Sequence, residues 1–232
     1  MIRSIDRIVI AVPELAAAVA EYQALLGARF WPVPDKHSEP RAWLGLANVT
    51  LELRQEVVAQ PSIIALVFAG DAPSDTSIEV SNALELPLSI CDGVDTARFR
   101  AAQGECQNPN LSVDHLVLRT ADADACIDLF SVGLGIRLAL DKNAPQWGAR
   151  MLFFRVGKLT LEVVEPAEEK PEKDYFWGIA YQCSDLSITT QKLLEGGVTL
   201  SEVRPGRKPG TKVATVKSHS LAIPTLLIEP AA

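Results

Sequence analysis

Two hydrophobic rhythms alternate along this chain. The stretch 5–12 is short and almost continuously apolar, as a buried strand is. Leu15, Val19, Tyr22, Leu25 and Leu26 then follow at helical spacing with alanines between them. Pro13 suits the first turn of that helix, and Gly27 suits a stop at its end. Strands are predicted next over 29–33, 41–46 and 49–54, so the first unit is βαβββ. The order returns from residue 111. A strand over 111–120 leads to a helix capped by Asp122 or Asp124, which accept free backbone N–H groups. That helix buries Cys126, Leu129 and Phe130. Strands over 137–140, 151–156 and 159–164 follow, the last two joined by a Gly157-Lys158 turn. A third, more diverged round has a strand over 176–183 and a helix capped by Asp185 or Ser187 and ended by Gly196-Gly197. Strands over 198–203, 212–217 and 225–229 complete it.

The first two rounds repeat in residues as well as in rhythm. Ile5-Asp6-Arg7-Ile8-Val9-Ile10 returns as Val113-Asp114-His115-Leu116-Val117-Leu118. Leu26-Gly27 returns as Leu134-Gly135, Asp35-Lys36 as Asp141-Lys142, and Thr50-Leu51-Glu52 as Thr160-Leu161-Glu162. The second and third rounds both close on Glu-Pro, at Glu165-Pro166 and Glu229-Pro230. Between the first and second lies a harder segment. A strand is clear over 62–69 and a polar loop over 71–76, whereas 78–90 alternates poorly. It reads as a degenerate unit with a lost or shortened helix, followed by a linker over 103–110. The charged stretch 168–173 reads as an exposed loop between units. Two domains follow, 1–105 with a degenerate second unit and 111–232 carrying the candidate site.

Composition narrows the function. The chain has 232 residues, 48% hydrophobic and 22% charged, enough to bury a substantial core. A net charge of −7 argues against general binding to nucleic acid, which needs a surplus of Lys and Arg. Cys91, Cys106, Cys126 and Cys183 form no CxxC pair, so they read as buried reduced thiols rather than a zinc site. The N-terminus lacks the pattern of a signal peptide, and no apolar run approaches the ~20 residues of a membrane span. A cytoplasmic protein acting on a small molecule, without nucleic acid or membrane as partner and with a homodimer as a possible assembly, is expected.

Tandem βαβββ units with a His in the first strand and a Glu in the last resemble the vicinal oxygen chelate superfamily. That group includes glyoxalase I, bleomycin-resistance proteins, methylmalonyl-CoA epimerase and extradiol dioxygenases. Residues 113–165 carry the resemblance most strongly. The stretch 201–211 with 223–227 resembles a glyoxalase-like subgroup. The resemblance implies an α+β fold in which units pair into cupped, incomplete β-barrels with helices outside. It also implies one divalent metal ion (zinc, manganese, nickel or iron) in a cup, held from the first and fourth strands of paired units. The repeat leaves open whether neighbouring units pair or the first pairs with the last.

His115 and Glu162 match the family's ligand positions. Side chains repeat every second residue along a strand, so Val117 and Arg119 face the same way as His115. Alignment of the units puts Gly178 opposite His115 and Leu226 opposite Glu162. Neither supplies a donor, which leaves Gln182 or water as substitutes. Two donors fall short of the three usual in catalytic zinc sites. His115 is therefore either a ligand or a strand histidine bonded to Glu162. In the first unit Arg7 stands at the His position against Glu52, which predicts an ion pair and a retired cup. His37 is expected in an exposed loop and His219 on the surface.

One basic cluster stands out in an acidic chain: Arg204, Arg207, Lys208 and Lys212, interleaved with Pro and Gly. It is either a solvated connection or an anion clamp over the cup mouth, for a carboxylate, phosphate or coenzyme A. Trp147 and Arg150 form a possible second wall suited to a conjugated ligand, unless the Trp is simply packed. The resemblance implies a metal-dependent lyase or isomerase acting on a small carbonyl or carboxylate compound, with Glu162 as ligand or base. The alternative is a bleomycin-resistance-type protein that binds its ligand without chemistry. A ring-cleaving dioxygenase needs a second His, which the motif does not place.

Overall fold

The first strand of each half carries a bulge at an aspartate, and this sets the geometry of everything around it. In the computed structural model, residues 1–33, 40–74, 76–102 and 111–231 are described. The expectations for Asp35-Lys36, His37, Cys106 and the linker over 103–110 lie outside them. Strand β1 (Ser4–Val12) leads into helix α1 (Leu15–Leu26), which buries Ala18, Tyr22, Leu25 and Leu26. Gly27 ends it at φ 63° and donates its N–H to the Gln23 carbonyl, the left-handed stop that a residue without Cβ takes without strain. Strands β2 (Trp31–Pro32), β3 (Arg41–Gly45) and β4 (Thr50–Gln55) complete the unit, with β4 parallel to β1.

The second unit departs from the βαβββ order. Strand β5 (Ser62–Ala69) pairs antiparallel with β1, and β6 (Ser77–Glu79) and β7 (Leu88–Cys91) follow without a helix between them. The helix comes afterwards, as α2 (Val94–Ala102). It is polar and lies over the concave face of the N-terminal half.

The third unit runs β8 (Ser112–Arg119), α3 (Ala123–Ile127) continued by a wider π-helical turn over Asp128–Gly133, β9 (Arg137–Ala144), β10 (Ala149–Val156) and β11 (Leu159–Pro166). Asp122 caps α3 through the Ala125 N–H at 3.0 Å. The fourth runs β12 (Tyr175–Gln182), α4 (Leu186–Glu195), β13 (Arg204–Pro205), β14 (Lys212–Val216) and β15 (Thr225–Glu229), with Asp185 capping α4. The strand expected over 198–203 is reduced to a single bridge, Leu200 to Val216. The 168–173 stretch is the loop anticipated, its Lys170 paired with Glu165.

All the strands join one mixed sheet in an α+β fold. Neighbouring units pair: β1 with β5, and β8 with β12. The halves meet where Phe176 of β12 pairs with Ile63 of β5. Asn48 clasps the Val113 backbone from both sides, at 2.7 and 3.0 Å. Helices α1, α3 and α4 cover the convex side, over Ile8, Ile10, Leu51, Leu116, Leu118, Leu161 and Tyr181, all essentially inaccessible. Burial of this apolar surface is the main stabilising term. Cys91, Cys126 and Cys183 are buried free thiols; burial pushes Cys91 up to about 11 and Cys126 up to about 12, so they stay protonated at neutral pH. No helix among the described residues is long and apolar enough to cross a membrane.

Candidate functional site

The concave faces are built by strand alternation interrupted by bulges in each half. On β8, Val113, Leu116 and Leu118 point into the core. The pairing with β12 steps from His115 opposite Ala180 to Val113 opposite Tyr181, leaving Asp114 as an extra residue. That bulge puts Asp114 and His115 on the same, concave side. On β1 the step from Ile5 to Arg7 leaves Asp6 as the equivalent extra residue. The Asp-His and Asp-Arg pairs of the two repeats are thus two copies of one bulge.

In the C-terminal cup, Asp114 Oδ2 lies 2.8 Å from His115 Nδ1, and His115 Nε2 lies 3.6 Å from Glu162 Oε2. The hydrogen bond to His115 holds the Asp114 carboxyl below the usual carboxylate range, with Arg155 and Lys208 contributing. An ionised Asp114 fixes the proton on Nδ1 and turns Nε2 toward Glu162, the orientation a second partner gives a ligand imidazole. Both side chains are partly open, at 18% for His115 and 14% for Glu162. Two donors each ~2.1 Å from a common ion lie within ~4.2 Å of one another, so a separation of 3.6 Å fits a shared ion. A third donor is missing: no group of three His, Cys, Asp or Glu side chains is arranged to hold a metal among the described residues.

Across the cup the strand pairing repeats the alignment of the units. The bulge at Trp177 of β12 corresponds to that at Asp114 of β8, and Val117 pairs with Gly178 as Ala180 pairs with His115, so Gly178 holds on β12 the place of His115 on β8. Leu226 pairs with Ala180 as Glu162 pairs with Val117. Neither Gly178 nor Leu226 offers a side-chain donor. Gly178 has another role: a Cβ there would meet the Pro224 carbonyl oxygen at 2.6 Å. Gln182 stands beside Ser112 and Ile228, with no hydrogen bond to His115 or Glu162.

The basic loop divides. Arg207 lies over the Trp147 ring, 4.4 Å from its centroid, and Lys142 lies against the same ring at 5.3 Å. The loop between β13 and β14 therefore reaches across to the β9–β10 connection. Arg204 stays exposed on β13, and Lys212 pairs with Glu229 at 2.7 Å. Arg119 shares the cup-facing parity of Val117, and its Nε is buried without a partner. Arg150 departs from expectation. Its neighbours Leu152 and Phe154 point into the core, which puts Arg150 on the helix side. There Asp141 binds it at 3.0 and 2.8 Å and Asp124 at 2.9 Å. It braces α3 against the sheet edge and does not line the cup.

The N-terminal cup is filled. Glu52 carries the expected pair with Arg7, at 3.4 Å, but Arg54 binds it more closely, at 2.8 and 3.1 Å. Arg41 lies at 3.7 Å, and the Trp43 indole donates at 2.9 Å. Helix α2 lies over this cluster. Thr96 donates to Asp6, Phe99 meets Trp43 edge-on at 5.4 Å, and Arg100 donates to Thr50 at 2.9 Å. Sequence reasoning missed α2, although Asp92 accepting the Val94 N–H at 3.0 Å is a helix-start signal. It also passed over Asp114 and Lys142, both present in the repeated motifs. His219 is half-buried rather than free on the surface, held at φ 59° with Nδ1 2.8 Å from the Ser218 hydroxyl.

Residues 114–215, just under half the chain, match the family described as the Glyoxalase/Bleomycin resistance protein/Dioxygenase superfamily. No curated protein matches the chain. Among solved structures, a mutant of 4-hydroxymandelate synthase from Streptomyces coelicolor superposes with a TM-score of 0.75 at 13% identity, over 100% of this chain and 94% of that one. Methylmalonyl-CoA epimerase from Mycobacterium tuberculosis aligns over 52% of this chain and 88% of its own, at 21% identity and a TM-score of 0.45. A variant of the Streptomyces coelicolor epimerase, solved in complex with 2-nitronate-propionyl-CoA, aligns over 52% of this chain and 95% of its own, at 19% identity and a TM-score of 0.44. The match to the glyoxalase/bleomycin resistance/dioxygenase superfamily thus covers residues 114–215, and the full-length likeness to the synthase shows the fold of the whole chain.

Proposed function

We propose that the C-terminal cup is the working site, a glyoxalase-type centre acting on a small carbonyl or carboxylate compound as a lyase or isomerase. The observation that carries this is the Asp114–His115–Glu162 row, exposed to the cup in one half and replaced by a packed cluster in the other. Superfamily members commonly bind divalent metals. Here His115 Nε2 and Glu162 would hold such an ion, with ligand or water oxygens completing its shell. When bound, the ion supplies Lewis-acid polarisation of a carbonyl oxygen. Asp114 keeps the His115 ring oriented. Glu162 is the carboxylate placed to take a proton from the carbon beside the carbonyl. The loop carrying Arg207 and Lys208 limits the access of water.

Elemental analysis of protein reconstituted with zinc, manganese, nickel or iron tests this. About one ion per chain is expected in the wild type and almost none in His115→Ala. An apoprotein that takes up none of the four would sink the metal-dependent reading. A second reading, a binding protein without chemistry, is favoured by the donor count stopping at two. Ligand binding unaffected by His115→Ala and by metal would support it.

A further inference from the structure

The far end of the C-terminal cup holds cations with no counter-charge. Lys170 and Lys212 each have a carboxylate within 2.7 Å, and Arg150 has two within 2.9 Å. Arg119, Lys142 and Arg207 have none among the described residues. Arg119 is the most telling, because its Nε is sealed from solvent and makes no hydrogen bond. A buried donor on a permanent charge is costly to leave unmet, and such groups are normally paired. The strand register puts Arg119 and Lys142 at one level on the same face, three strands apart. Arg119 pairs with Val164, Val164 with Met151, and Met151 with Lys142. Lys142 and Arg207 both rest on Trp147, which is 40% exposed. A half-exposed indole carrying two cations over its ring, with a third cation in the floor at the same level, makes a receptor for an anion with a flat body. A guanidinium meets a carboxylate or phosphate through two parallel hydrogen bonds, and the indole stacks on a planar body.

We propose that Arg119, Lys142, Arg207 and Trp147 form an anion subsite that binds the carboxylate or phosphate of a planar, unsaturated ligand and directs its other end to His115 and Glu162. Arg119 lies four residues along β8 from His115, ~13 Å of strand, so the charge recognised there is remote from the reacting carbon. This inference rests on the C-terminal cup being the ligand site. It adds that the ligand is an anion gripped away from the chemistry.

Binding of benzoate, phenyl phosphate and neutral benzamide can be followed by NMR at the Trp147 indole N–H, assigned by its disappearance in Trp147→Phe. Benzoate, phenyl phosphate or both should shift that signal saturably, and the comparison identifies which anion is preferred. Benzamide should bind at least about tenfold more weakly. Arg119→Gln should weaken the anion about tenfold or more, with partial recovery in Arg119→Lys. If Arg119→Gln fails to fold, the exposed Lys142→Gln carries the test with a smaller loss. Equal affinity for benzamide and benzoate, no shift with either anion, or unchanged binding in both Arg119→Gln and Lys142→Gln overturns the proposal. His115→Ala separates the two claims: it should lose metal while still binding benzoate. Metal uptake without anion binding removes the subsite alone.

Discussion

Asp114 shows how much one side chain settles here. Its carboxylate receives the Nδ1–H of His115 and is held below the ordinary range by that bond. A lowered carboxylate pKa contributes stability above the unfolded value of ~3.9 and loses it as pH falls through the folded value. Urea unfolding of wild type and Asp114→Asn should therefore differ more at pH 6 than at pH 3. Equal differences at both pH values would show that the bond contributes nothing to folding. At Glu52 the balance is different, because its side chain is only 3% exposed among Arg7, Arg41 and Arg54. Removing the charge from one side of a buried pair costs about 3 kcal/mol or more. Glu52→Gln should lower stability by about that amount, whereas Glu162→Gln, in the open cup, should cost far less. Denaturation midpoints of the two variants decide the matter.

At the level of elements, α2 occupies the mouth of the N-terminal cup. Its Thr96 is 1% exposed and donates to an equally buried Asp6. Replacing Thr96 by Val keeps the shape and leaves the carboxylate unmet, a loss of about 1–3 kcal/mol. Hydrogen exchange should show α2 opening more readily in Thr96→Val while β8 and β11 keep their protection. Unchanged exchange along α2 would mean that the helix is held by Phe99 and Arg100 instead. The same helix marks where pattern reading stops. Strands β1, β4, β8 and β11 were legible because alternation, the repeated motif and the Thr-Leu-Glu endings all agree. Helix α2 buries only a narrow face, so it leaves little apolar periodicity. His115 and Glu162 were placed by the family resemblance, with strand periodicity consistent with both facing one side. Arg150 could not be assigned to a face, because that depends on where β10 begins and on Asp124 reaching it from α3.

For the whole molecule, the two halves share an interior. Tyr22 of α1 and Tyr181 of β12 are both fully buried, and their hydroxyls are neighbours without a well-formed hydrogen bond. Burial pushes both phenols well above their ordinary range. Glu21 of the same helix accepts the Leu221 N–H at 2.8 Å, and Asn48 clasps Val113. Equilibrium unfolding should therefore be a single transition with near-UV and far-UV signals coincident. Separate transitions would mean that the halves are independent folding units, with the β5–β12 junction a weak seam. The bulges at Asp6, Asp114 and Trp177 were not legible in advance, because a bulge leaves no mark on hydrophobic alternation until two strands are paired.

The bulge at Asp114 has a consequence for how the gene can change. Asp114 is an additional residue, so a codon exchanged there alters one side chain. A codon lost there takes up the slack in β8. Residues before the site would then move through one step against β12, exchanging their inner and outer faces. Val113 would leave the interior, or His115 would be drawn into it. Asparagine or serine at 114 should be recovered readily from a library screened for folded protein, and a single-codon deletion should be absent from it. The same asymmetry should hold at Asp6, although that cup is filled by its own side chains, because there too the extra residue keeps a strand in phase.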